Sequence, residues 1–282
     1  MAIHPSAENS GITFVRSDVE AGLREIPASW DNVVDTRLCT VLGNRHGATV
    51  GTVEHLMAAL RGCGVDNAAI ELSGPEVPVM DGSASEFVRI IKETGLKAQA
   101  VPRRIIRILK DVHVTEGEKF AGLMPAEEAS FSGEIDFAHP CIGEQKFETT
   151  LVNGNFAHDL ADCRTFGFLH EVEWMRSQGL AKGGSLENAI VLGDQGVINP
   201  EGLRHRDEFI RHKLLDAVGD MYLAGGPILG AYHGNRSGHA LNNALLHRLM
   251  SDTSAYEVVD HYGESGAVNL NSELPLEMAV CW

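Results

Sequence analysis

The chain has 282 residues, with 23 Lys+Arg against 39 Asp+Glu and a net charge of −16. That length fits one large domain or two of ordinary size, and an apolar share of 44% is enough to build a buried core, which excludes wholesale disorder. The acidity excludes an electrostatic nucleic-acid binder, which needs a basic face, but not a local basic pocket for a small anion.

The five cysteines, Cys39, Cys63, Cys141, Cys163 and Cys281, are odd in number and far apart. They form neither a paired metal knuckle nor a disulfide framework, so a reduced, cytoplasmic compartment is expected. Met1–Ser10 has no basic start and no apolar core, so no signal peptide is expected. No apolar run approaches the length of a transmembrane helix.

In chain order, Gly11–Arg16 is rich in β-branched and aromatic residues and predicts a strand. Leu38–Leu42 and Ala48–Thr52 flank a glycine-containing loop and predict a hairpin. Thr52 is placed to cap a helix over Val53–Arg61, stopped by Gly62-Cys63-Gly64. Asn67–Leu72 predicts a strand. Ser83 and Glu86 have the spacing of a capping box, ahead of a helix that puts Phe87, Ile90 and Ile91 on one face and ends at Gly95. Residues 97–104, with Lys97, Pro102, Arg103 and Arg104, are the linker candidate. Beyond it, Ile105–Val114, Lys119–Met124 and Ser130–Phe137 alternate and predict an antiparallel meander. Phe147–Val152 predicts another strand, Phe156–Asp162 and Leu169–Ser177 short helices, and Ala189–Leu192 a strand. Arg206–Leu223 predicts the longest helix, Ile228–Tyr232 a strand and Ala240–Met250 a final helix. Both halves thus run helix, glycine stop, strand, glycine-containing loop, helix. This implies an α+β fold of two related domains, 1–96 and 105–282, with a site between them.

The chemistry-bearing residues fall at corresponding places in the two halves. His212 and Asp216 lie one helical turn apart on one face and can both reach one Zn²⁺, and Asp220 continues the stripe. Phe209, Ile210, Leu214 and Val218 set this stripe beside core. A surface His–Asp pair meets the same spacing. Glu54-His55 opens the corresponding helix of the first half. A glutamate next to a ligating histidine can accept a proton from the attacking water, although a capped helix start with an incidental histidine reads the same. Together, His55, His212 and Asp216 would leave a fourth coordination position open, the catalytic pattern. His239 begins the last helix, where the dipole disfavours its cation and a carboxylate such as Asp220 can restore it. The other ten histidines, His205 among them, have no such companions and read as solvated or structural. The apolar residues after Arg164-Thr165-Phe166-Gly167-Phe168 fit a small βαβ element or a channel for a lipid tail.

Six spaced motifs carry a resemblance across nearly the whole chain. They are Thr52-Val53-Glu54-His55-Leu56, Met80-Asp81-Gly82-Ser83-Ala84, Arg164-Thr165-Phe166-Gly167-Phe168, Gly183-Gly184-Ser185, His212-Lys213-Leu214-Leu215-Asp216-Ala217-Val218-Gly219-Asp220 and Ser237-Gly238-His239-Ala240-Leu241-Asn242-Asn243. In these the sequence closely resembles the UDP-3-O-acyl-N-acetylglucosamine deacetylases, zinc amidohydrolases of lipid A biosynthesis. The resemblance implies that His55, His212 and Asp216 are the metal ligands, for Zn²⁺ or alternatively Fe²⁺. It implies that Glu54 is the general base and His239 the cationic general acid, with Asp220 orienting His239 and Thr165 helping to hold the oxyanion. Lys213 resembles the residue that contacts the polar head of the substrate, a UDP-3-O-acyl-N-acetylglucosamine, and Phe166 one that packs on its sugar–nucleotide side. Phe168, Leu169, Val172, Met175 and Leu180 belong to the segment, within an insert at about 165–192, that would enclose the acyl chain. The resemblance further implies a two-layer sandwich of sheet and two helices in each domain, and a monomer.

Two departures accompany it. Members of the family start with a further β-hairpin carrying a Gly-Leu-His-x-Gly turn, and residue 1 falls where that hairpin should have ended. The first domain is therefore expected to be short at its N-terminus, and a zinc-binding but inactive or unstable truncated homologue is the alternative to an active enzyme. Ala181-Lys182 also occupies a stretch that is usually more apolar, which bears on acyl-chain length.

Overall fold

A computed structural model describes residues 1–261 apart from 153, 178, 180–182 and the side chain of Met175. In the first half, strand Ile12–Arg16 buries alternate residues, Ile12, Phe14 and Arg16, the period of a sheet with one covered face. It pairs antiparallel with Glu25–Pro27 and parallel with Ala68–Leu72, whose other neighbour is Ala2–Pro5, antiparallel. A small three-stranded sheet of Val33–Asp35, Val41–Gly43 and Thr49–Val50 contains the predicted hairpin. Helices α1 (Glu54–Cys63) and α2 (Ser85–Thr94) contribute Leu56, Leu60, Phe87 and Ile91 to the core that Phe14 and Ile70 also enter.

Both predicted caps fail for a local reason. Thr52 takes a left-handed conformation (φ 57°) and its hydroxyl donates to Glu76, so α1 starts at Glu54 without a side-chain cap. Ser83 donates its hydroxyl to Asp81 instead of closing a box with Glu86, and α2 starts at Ser85. Ile90, expected on the core face of α2, is 38% exposed, and Val88 is buried instead.

In the second half, the predicted meander is broken twice. Its first strand divides at residues 109–111 into Arg103–Ile108 and Val112–Glu116, which join different sheets. Between Lys119–Met124 and Ser130–Phe137 lies a later strand, Ala231–Asn235, antiparallel to the former and parallel to the latter. Gly133 and Gly234 permit that close pairing, because a Cβ at Gly133 would stand 3.0 Å from the Gly234 carbonyl oxygen. The second half also contains α3 (Asn155–Asp159), α4 (Leu169–Ser177), α5 (Glu208–Tyr222) and α6 (His239–Met250). Strands Phe166–Phe168 and Ile190–Gly193 run parallel on either side of α4, which forms the predicted βαβ insert.

The two halves share one topology. In each, a hairpin pair is joined edge-on by a strand that lies in the chain between two helices, α1 and α2 or α5 and α6, and that strand's other neighbour is antiparallel. This is the internal duplication in structural form, an α+β fold of two related halves. Among the described residues no helix is long and apolar enough to cross a membrane.

The halves meet where α1 crosses α5. A Cβ on Gly219 of α5 would stand 2.0 Å from the backbone oxygen of Glu54, so only glycine permits this crossing. Gly219→Ala is expected to force the helices apart at a cost of about 1–3 kcal/mol and to displace Glu54. Urea denaturation and activity measured on the same preparation check both effects.

Candidate active site

The crossing brings the start of α1 against the middle of α5. Asp216 Oδ1 lies 3.5 Å from His55 Nε2 and 3.4 Å from His212 Nε2, and all three side chains are buried. Tetrahedral bonds of about 2.1 Å separate ligand atoms by about 3.4 Å, so the triad has the spacing of a metal centre. Asp216 Oδ1 and His55 Nδ1 have no protein hydrogen-bond partner, and a buried carboxylate oxygen left bare is costly unless a cation meets it. His212 Nδ1 is 3.0 Å from the carbonyl oxygen of Cys163. A carbonyl only accepts, so Nδ1 carries the proton and Nε2 presents its lone pair to the ion. Burial pushes His212 down to about 4, which keeps the imidazole neutral. Burial would raise Asp216, but His212 and Lys213 outweigh it and hold the carboxyl well below the usual range. Lys213 Nζ donates to Asp216 Oδ2 at 2.9 Å, so its charge is paired with a carboxylate of the triad.

Glu54 is 3% exposed. Burial pushes its pKa up, against the opposing pull of His239 and His55. Its Oε2 accepts the Thr40 backbone N–H at 3.0 Å, and Oε1 faces His239 Nε2 at 3.9 Å. His239, the first residue of α6, donates Nδ1–H to Asp220 Oδ2 at 2.9 Å. Burial alone would lower this imidazole, but the charge and hydrogen bond of Asp220 outweigh it and raise it to about 9, so it is a cation at neutral pH.

Asp220 itself is held from three sides. Thr40 Oγ1 donates to its Oδ1 at 2.6 Å, and Asn242 Nδ2 to its Oδ2 at 2.9 Å. The hydroxyls of Tyr232 and Ser237 both donate to Asn242 Oδ1, which turns the amide nitrogen toward Asp220. Sequence reasoning missed Thr40, Asn242 and the Cys163 carbonyl. Asn242 stands one turn after His239 on the same helix face, a signal that could have found it. Thr40 is 180 positions from Asp220 and carries no local signal.

Thr165 is fixed through its main chain on both sides. Its N–H donates to Gly82 O and its carbonyl accepts from Ile190 N–H. Behind it, Arg164 is buried against the wholly buried Glu208, with its N and Nε both 3.0 Å from Glu208 Oε1. Phe166 packs edge-on against Phe209 and stands beside His212. Phe168 packs against Phe137, His139 and His170. Val172 is half-buried, close to Gly167, and Leu169 is 39% exposed. Leu180 and the Met175 side chain lie outside the described residues.

Two imidazoles and a carboxylate with their donor atoms gathered, and a desolvated glutamate facing a cationic imidazole beside them, are the groups a metal-dependent hydrolase uses. The comparisons with known proteins agree. Residues 1–251 match the UDP-3-O-acyl N-acetylglycosamine deacetylase (LpxC) family, and the chain belongs to it. It is 50% identical over 258 residues to the UDP-3-O-acyl-N-acetylglucosamine deacetylase of Phenylobacterium zucineum, covering 92% of this chain and 88% of that one. Similarity to the same-named enzyme of Myxococcus xanthus is 49% over 259 residues, 92% of this chain and 82% of the relative. For Shewanella violacea it is 44% over 269 residues, 95% and 88% of the two chains.

Proposed function

We propose that this protein hydrolyses the N-acetyl group of a UDP-3-O-(3-hydroxyacyl)-N-acetylglucosamine, the reaction of lipid A biosynthesis, and releases acetate. The observation that carries the reading is the meeting of Glu54 and His239, from different halves, over the His55–His212–Asp216 triad. His55, His212 and Asp216 would hold a divalent cation, which would supply polarisation of the acetamide carbonyl and a lowered pKa for the attacking water. The donor set favours Zn²⁺, and Fe²⁺ accepts the same ligands. Glu54 takes a proton from water as its oxygen bonds to the acetamide carbon. The Thr165 hydroxyl and the His239 cation stabilise the oxyanion. His239 then gives its Nε2 proton to the sugar nitrogen, the C–N bond breaks, and acetate leaves a free amine.

In this reading residues 1–96 and 105–282 are the two catalytic domains and 97–104 their linker. Phe166 lies on the sugar–nucleotide side with Lys213 near the polar head, and the insert, through Phe168, Leu169, Val172, Met175 and Leu180, receives the acyl chain. All catalytic groups come from one chain, so a monomer suffices. The four cysteines among the described residues are free thiols, which suits a reducing cytoplasm. The test is acetate release from the acylated substrate set against UDP-N-acetylglucosamine without the acyl group. A clear preference for the acylated form is expected, and equal rates on both would overturn the substrate assignment.

The pH profile follows from the two shifted groups. Glu54 acts as a base only when ionised, so activity falls on the acid side as Glu54 is protonated; burial raises its pKa and a dication in the triad would pull it back down. His239 acts only when protonated, so activity is lost as pH rises through about 9. A dication in the triad pulls that value down, so the limb falls at or below pH 9. His239→Ala is expected to abolish the alkaline limb and leave a low residual rate.

A further inference from the structure

We propose that Asp162, Cys163 and His205 form a second divalent-cation site, for a borderline or soft ion such as Zn²⁺, Co²⁺ or Cd²⁺. The donors come from the turn after α3 and the loop before α5. His205 Nε2 lies 2.8 and 3.0 Å from the two oxygens of Asp162, and Cys163 Sγ lies 3.8 Å from Asp162 Oδ1. One donor atom of each residue lies within 4.8 Å of the others, and the grouping is matched among the described residues only by the catalytic triad.

Metal–ligand bonds of about 2.0–2.3 Å in a tetrahedron separate donors by about 3.4–3.6 Å. The thiol already stands at nearly that spacing from the carboxylate, and the imidazole has to retreat by about half an ångström. Asp162 is 42% exposed and His205 27%, while Cys163 is buried. An ion therefore enters between carboxylate and imidazole and finds the sulfur at the bottom. Arg204 and Arg211 stand nearby, but each turns a guanidinium nitrogen to a main-chain oxygen, of Asp162 and Asp159 respectively. On binding, metal–sulfur, metal–oxygen and metal–nitrogen bonds form. The thiol proton leaves to solvent, and the imidazole proton moves from Nε2 to Nδ1.

Burial, then Asp162 and Glu208, push the Cys163 thiol up. The same carboxylates supply the field that draws a cation. The location gives the site a consequence, because the carbonyl that accepts from His212 Nδ1 is that of Cys163. The two cation sites share one residue.

Cobalt separates them. The catalytic triad has no sulfur, so Co²⁺ bound there gives no sulfur-to-metal charge-transfer absorption, whereas thiolate ligation does. Titrating metal-free protein with Co²⁺ is expected to produce a near-ultraviolet sulfur band that persists in His212→Ala and in Cys39→Ser and is absent from Cys163→Ser. His205→Ala, at a more exposed position that tolerates truncation, is expected to weaken the cobalt affinity read from that band about tenfold or more. Absence of the band in the parent protein, its persistence in Cys163→Ser, its loss in Cys39→Ser, or an unchanged affinity in His205→Ala would each overturn the proposal.

Discussion

Glu54→Ala is expected to keep its metal and lose about 10²–10⁴-fold in kcat, the usual worth of a positioned general base. His212→Ala and Asp216→Ala are expected to lose both. The contrast rests on where each atom points. His212 and Asp216 turn their free donor atoms to a common point. Glu54 spends Oε2 on the Thr40 amide and directs Oε1 toward His239, 3.9 Å away. Removing Glu54 therefore deletes a proton acceptor but no ligand. Metal analysis of the three purified variants beside a single-turnover acetate assay checks this. A Glu54→Ala protein that had also lost its metal would refute the division of roles.

Glu208→Ala is expected to be among the most destabilising single changes in the chain, at about 3–5 kcal/mol, because it removes the one wholly buried partner of the Arg164 guanidinium and leaves it only the half-exposed Glu201 and the Gly202 carbonyl. Glu208 is wholly buried, and Arg164 is 2% exposed. Each Glu208 oxygen also accepts a backbone N–H, from Arg164 and from Arg204. The carboxylate thus ties the chain leading into Thr165 to the first turn of α5, four residues before His212. Urea denaturation of Glu208→Ala, with a double variant that replaces both partners by apolar residues, separates the charge penalty from lost packing. The double variant is expected to recover most of the loss, and failure to recover would place the cost in the backbone hydrogen bonds.

Helix α5 was legible because its information is local. His212, Asp216 and Asp220 repeat at one face of a helix, and a period of 3.6 brings them together whatever the rest of the chain does. Pairing His55 with them needed the second half to be seen as an echo of the first, and the strand order bears out that duplication. The meander over 105–137 misled because alternation reports which residues face the core and says nothing of which strand lies beside which. Ala231–Asn235 enters from a hundred residues away. Thr52 and Ser83 misled for a different reason. Their hydroxyls have the right spacing for caps, but Glu76 and Asp81 claim them first. Thr40 was illegible, since its role depends on a carboxylate in the other half.

In the proposed site helix α1 would contribute one metal ligand and α5 the other two, which has a thermodynamic consequence beyond chemistry. An ion shared by His55 and His212 is a cross-link that closes a loop on the order of 150 residues. In the chain-entropy description a permanent cross-link over such a loop restricts the unfolded ensemble by about 5 kcal/mol. An ion in the proposed site would thus also staple the halves together, and its hold on the fold would come from how far apart in the chain His55 and His212 lie.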